Sequence, residues 1–144
     1  MIQQNEKNTS FLTHLSGLSN LIIPLGSIII PLIIWQTSKN DSKFLDHHGK
    51  EAVNFNISFL LYNIVAVILL LGSIFGTIFN GIQLDQYESS KDLAELLFSA
   101  GGFITAIIVL STIGIVKFIL IIVAAIKANN GMLYRYPLTI RFIK

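Results

Sequence analysis

From Ala52 to Leu84 the chain carries no charged side chain, and this run constrains the fold more than any other feature. A helix that crosses the bilayer hydrocarbon, about 30 Å thick, needs about 20 mostly apolar residues. It also satisfies its own backbone donors and acceptors, which lipid cannot do for it. A second run, Leu96 to Ile126, is broken only by Lys117, and a third, Phe11 to Trp35, holds His14 as its one titratable group. Of 144 residues 53% are hydrophobic and 12% charged, where a soluble domain carries about a quarter charged. A net charge of +2 builds no basic face for nucleic acid. Without cysteine there is no disulfide framework and no thiolate nucleophile.

The expectation is an all-α integral membrane protein, a single domain over 1–144, with three transmembrane helices at about 11–35, 53–80 and 96–126 and a basic tail at 127–144. In the first helix Pro24 and Pro31 remove backbone donors and crowd the preceding turn, so a kink or break is expected there. An alternative lays Phe11 to Asn20 in the interface as an amphipathic helix. At 1.5 Å per residue, Val53 to Asn80 would extend about 42 Å, so the second helix tilts or protrudes. Two polar connections follow from this layout, Gln36 to Glu51 and Asn80 to Glu95. Lys39, Lys43, Lys50, Lys127, Arg135, Arg141 and Lys144 then share one side, against Lys7 and Lys91 on the other. Basic residues favour the cytoplasm, which predicts an N-out, C-in, multi-pass protein.

The most polar stretch beside a span is Asp46, His47, His48, Gly49, Lys50 and Glu51. His47, Glu51 and Asn54 share a helical face, a pattern open to a divalent metal. The simpler reading is a helix start, with Asp46 as cap and Glu51 near the positive end of the dipole. His14 falls at the other end of the first span, so no third ligand converges, and neither a metal nor any other cofactor is assigned. Deeper in the second helix lie Asn54, Asn56, Ser58, Tyr62 and Asn63, of which Asn54, Ser58 and Tyr62 continue the stripe from Glu51. Such groups act as interhelical hydrogen-bonding glue or line a hydrated path. If Ile126 marks the cytoplasmic boundary, Lys117 falls near the midplane, where a charge costs about 2.5–3.5 kcal/mol; it then hydrogen-bonds Asn63 or Tyr62 or faces a water-filled cavity, and otherwise it snorkels to the headgroups.

Gly72 and Gly76, with Gly102 and Ala106, have the small-x-x-x-small spacing that lets helices approach closely. Packing within the chain is the first reading, with self-association as the other. Asn129, Asn130 and Gly131 stop the third helix. The tail beyond places Tyr134, Arg135, Tyr136, Arg141 and Lys144 at headgroups or on a protein partner. No phosphate loop, nucleophile elbow or same-side catalytic set is present, so no catalytic residue is assigned.

Two motifs, DHHGKEAVNFNIS at Asp46 to Ser58 and AAIKANNGMLYRYPLTIRFIK at Ala124 to Lys144, resemble a family of small bacterial membrane proteins of unknown function. The HLSGL at His14 to Leu18, with PLG at Pro24 to Gly26 and PLIIW at Pro31 to Trp35, is similar to that family's opening. The family is distantly grouped with the twenty-kilodalton Tic component of the chloroplast inner-envelope import translocon. The resemblance implies a helical domain of the bacterial inner membrane without established activity or cofactor, and a remote link to protein translocation. The functional expectation is a non-enzymatic subunit or accessory of a membrane complex. The alternative is a homo-oligomeric pore with Lys117, Asn56 and Asn63 on a polar path.

Overall fold

The computed structural model describes residues 2–83 and 91–144, and there the chain is helical without strands. Four helices follow in order: α1 (Gln4–Leu15), α2 (Gly26–Ser38), α3 (Lys43–Gln83) and α4 (Lys91–Asn129), with a 3-10 turn at Ser16–Leu21 between the first two. Helix takes both ends of the expected connection Asn80 to Glu95, and its centre lies outside the described residues.

Among the described residues two helices, not three, are long and apolar enough to cross a membrane: Lys43–Gly76 and Ile104–Asn129. The first apolar run fails for a local reason. After the 3-10 turn, Pro24 lacks a donor, and Leu25 adopts a left-handed conformation (φ 60°) that reverses the chain. What remains is α2, with 13 residues; at about 20 Å it is too short to cross about 30 Å of hydrocarbon.

Backbone packing divides the chain into two units, Met1–Leu60 with Ile115–Lys144, and Leu61–Gly114. The N-terminal helix and the C-terminal tail therefore belong to one body.

In the first unit, α3 starts a turn earlier than Asp46. Ser42 caps it, its hydroxyl accepting the Leu45 N–H at 3.2 Å. Asp46 is thereby free to accept the Trp35 indole N–H at 2.9 Å and to pair with Lys50 at 2.6 Å. Gly49 is needed because a Cβ there would run into the Trp35 ring, so α2 lies flush on α3. Gly17 does the same for the 3-10 turn, where a Cβ would sit 2.9 Å from the Asn56 amide and 3.1 Å from Ile121. Ala52, Ala124 and Ala128 are fully buried, and small side chains of this kind bring helix axes together. α4 ends in a Schellman motif: Gly131 turns left-handed at φ 74°, its N–H bonds the Ala128 carbonyl (2.9 Å), and the Met132 N–H bonds that of Lys127 (3.0 Å).

The second unit is apolar outside as well as inside. Leu69, Phe75 and Ile107 are 70%, 71% and 64% exposed, which suits hydrocarbon and not water. An open groove of about 740 Å³ runs between its helices, lined by Tyr62, Ala66, Leu70, Ser73, Gly102 and Ala106 among others. Among the described residues, a Cβ added at Gly72, Gly76 or Gly102 would meet nothing within 4 Å.

Candidate functional site

The conspicuous chemistry lies in the first unit, where α3 presents Glu51, Asn54 and Ser58 one turn after another. All three are buried, at 5%, 1% and 0% exposure, and what covers them is the extended tail after α4. The Asn54 carboxamide oxygen accepts the N–H groups of Phe142 (3.1 Å) and Ile143 (2.9 Å), and its Nδ2 donates to the Ile143 carbonyl at 2.9 Å. Ser58 Oγ accepts the Ile140 N–H at 2.9 Å while donating to the Asn54 carbonyl at 2.7 Å. Glu51 Oε2 accepts the Tyr136 N–H at 3.0 Å, and its Oε1 faces Arg141 Nε at 3.4 Å and Arg135 Nε at 4.0 Å. The stripe therefore serves the tail backbone in place of a neighbouring strand. The Tyr136 N–H is buried, and without Glu51 it would be desolvated unpaired.

The aromatic half of the site starts at Tyr136. Its ring stacks on Phe55 with centroids 3.8 Å apart and planes 14° from parallel. Its hydroxyl lies 2.9 Å from His14 Nδ1, and His14 Nε2 lies 2.8 Å from His48 Nδ1. Burial, reinforced by His48 and His47, holds the His14 imidazole down at about 3. Burial likewise raises the Tyr136 phenol well above its usual value, with Tyr134 and Glu51 adding to the shift. All members are neutral near pH 7. One proton order fits the geometry: Tyr136 donates to His14, and His14 donates to His48. The remaining N–H of His48 then faces the Met132 backbone without closing a well-formed bond. Beside this chain, His47 Nε2 donates to the Tyr134 carbonyl at 3.1 Å.

The two sequence motifs are thus two halves of one site. His14, which the three-span reading put across the bilayer, sits at its centre. Tyr136, expected among headgroups, is 3% exposed; Arg135 and Arg141 remain partly open to solvent, at 67% and 42%. Lys144 follows the last clasped residue. Asn56 turns away from the stripe, with its Nδ2 on the Ala52 carbonyl at 2.9 Å and its Oδ1 buried against Gly17 without a hydrogen bond. Lys117 is half-buried in the first unit, whereas Tyr62 and Asn63 belong to the second. Sequence reasoning passed over Phe55, Trp35 and Ser42. The signal for Trp35 was its place at the end of an apolar helix opposite a glycine-bearing polar motif. Among the described residues no three His, Asp or Glu side chains group to hold a metal, and His14 and His48 spend facing nitrogens on each other.

Fold and site define a helical, membrane-associated protein with two apolar helices and a polar body that clasps its own tail. The chain belongs to the magnetosome magnetite crystal formation protein family, whose model matches residues 5–143. The match is to this family and not to the chloroplast import component that the motifs resemble. No curated protein and no solved structure matches the chain. The family's description names crystal formation and not a catalysed reaction.

Proposed function

We propose that this protein is a non-catalytic, two-span component of a membrane complex serving magnetite crystal formation, with its polar body on the cytoplasmic side. The observation that carries the reading is the family match across residues 5–143. Charge supports the orientation. With two crossings, Lys7, Lys39, Lys43, Lys50, Lys127, Arg135, Arg141 and Lys144 flank the spans on one side, and Lys91 alone falls on the other. Basic flanks favour the cytoplasm. The clasp supports a scaffolding role, because it turns a flexible basic tail into a fixed surface on which Arg135 and Arg141 stand at set positions. Translocation and pore readings would each require several chains, since two helices enclose no path.

The test is gentle extraction from the native membrane, with the mass and composition of the complex determined, beside deletion of the gene. The expected result is a stoichiometric second protein, and crystals of altered size or number in the deletion strain. A homo-oligomer alone that conducts ions in liposomes, and that loses conduction in Lys117→Leu, would overturn the reading in favour of a pore.

A further inference from the structure

The hairpin formed by the 3-10 turn and α2 is the most exposed apolar feature of the first unit. At its tip Leu21, Ile22, Ile23 and Leu25 are 85%, 86%, 52% and 51% exposed. Along α2, Ile29 and Ile33 are 47% and 57% exposed, while Ser27, Pro31 and Trp35 face inward. From Leu21 to Ile34 the only polar side chain is Ser27, and it is 5% exposed.

Exposed aliphatic residues alone would not say what covers them, but the backbone does. Ile22 and Ile23 donate to the Ser19 carbonyl at 3.0 and 2.9 Å, and Gly26 donates to Ile23 at 2.9 Å. Leu25 N–H is taken by the Asn20 carboxamide at 3.1 Å, and Pro24 has no N–H. From Ile22 to Gly26 every N–H is therefore satisfied inside the hairpin. Nearby hydroxyls are turned inward too, Ser16 onto the Thr13 carbonyl (2.7 Å) and Ser19 onto that of Ser16 (2.6 Å). Closure of this kind is what a turn in hydrocarbon requires of its N–H groups. Leu25 is telling as well. A left-handed turn position ordinarily goes to glycine or asparagine, and here a large aliphatic side chain holds it.

The base of the hairpin has the opposite character. Trp35 hydrogen-bonds Asp46, and Lys39 Nζ lies 5.4 Å from the Trp35 ring centre, an indole and lysine pairing that suits headgroup depth. α2, at about 20 Å, runs from that level somewhat past one leaflet's hydrocarbon, about 15 Å or half of the core.

We propose that Ser16–Ser38 is a re-entrant hairpin that dips into a single leaflet, with Leu21–Leu25 among the acyl chains and both ends at one membrane surface. The inference rests on the two-span membrane reading and is independent of the role in crystal formation.

The natural absence of cysteine makes the test direct. Single variants Ile22→Cys, Asn40→Cys and Ile68→Cys are reconstituted in phosphatidylethanolamine–phosphatidylglycerol vesicles and treated, from either side, with a membrane-impermeant maleimide. Alkylation requires the thiolate, which hydrocarbon suppresses, so Ile22→Cys is expected to react at least roughly tenfold more slowly than Asn40→Cys from both sides. A fluorophore on the same cysteine is expected to be quenched by bromines placed halfway along the acyl chains. Rapid alkylation from the Asn40 side means a tip in water, and rapid alkylation from the opposite side only means a full crossing; either overturns the proposal. Slow alkylation without bromine quenching means that protein covers the tip, and it overturns the lipid assignment. Ile68→Cys separates the two readings: if it too reacts like Asn40→Cys, the membrane reading itself has failed.

Discussion

Replacing Asn54 by leucine keeps the side-chain volume of a buried helical position and removes one function, the clasp on the tail. Three hydrogen bonds disappear: two accepted from Phe142 and Ile143, and one donated to Ile143. At about 0.5–1.5 kcal/mol net for each, the loss is roughly 2–4 kcal/mol. Water recovers part of it, because Phe142 is 49% exposed and its freed N–H can be solvated. The expected cost is then about 2 kcal/mol, or roughly a thirtyfold shift toward the undocked tail. The cost is local, since α3 keeps its backbone bonds and α4 is untouched. Hydrogen exchange on the reconstituted protein reads it directly. Amides of Tyr136, Ile140, Phe142 and Ile143 should exchange faster by about that factor, while protection in α3 and helix content stay at wild-type levels. Unchanged exchange at Phe142 and Ile143 would refute the view that the stripe holds the tail. Equal acceleration along α3 would refute the view that the clasp is local.

The Glu51 site should show an asymmetry: Arg135→Ala costs less than about 1 kcal/mol, as exposed ion pairs do, whereas Glu51→Ala strands the buried Tyr136 N–H and costs about 1–3 kcal/mol in denaturant titrations. Gly49→Ala drives a methyl into the Trp35 ring and is expected to cost about 1–3 kcal/mol by overpacking, with a change in Trp35 emission as the second sign. The tail should also loosen in acid. His14 titrates at about 3 when buried against an ordinary 6.5, so only the opened state takes up its proton as pH falls through that window. Stability then declines below about pH 6.5 by up to about 1.4 kcal/mol per pH unit and is flat above it. Unfolding midpoints at pH 7 and pH 5 measure this, and in His14→Gln the difference should shrink.

How much of this could be read from residue order differs from element to element. The two long apolar helices were legible because charge-free runs leave lipid-exposed chain few options but helix. The helix stop at Asn129 to Gly131 was legible because a left-handed cap has a local sequence signature. The shared face of Glu51, Asn54 and Ser58 followed from helical periodicity, but its partner did not. The tail residues it binds are 82 to 90 positions away, and nothing in an extended, aromatic, basic segment announces which polar stripe will accept its N–H groups. The first apolar run misled for a different reason. Mean apolarity over such a window cannot see that Ser19 and Asn20 hold a backbone reversal together before Pro24. That one break moved His14 across the supposed membrane and hid the histidine–tyrosine chain.

The clasp also has a consequence in time. Glu51, Asn54 and Ser58 leave the ribosome long before Tyr136 through Ile143, so these buried polar groups have no tail to hold while the intervening chain is made. Pairing of such sequence separation is entropically late. On the proposed two-span arrangement it becomes possible only when both long helices have been inserted and the chain has come back to the side it started from. A nascent chain whose α4 fails to cross, or crosses in the wrong sense, is left with a bare carboxylate, amide and hydroxyl on α3, a defect that quality-control proteases can find. On that arrangement, docking of Tyr136 through Ile143 reports that both helices before them have crossed.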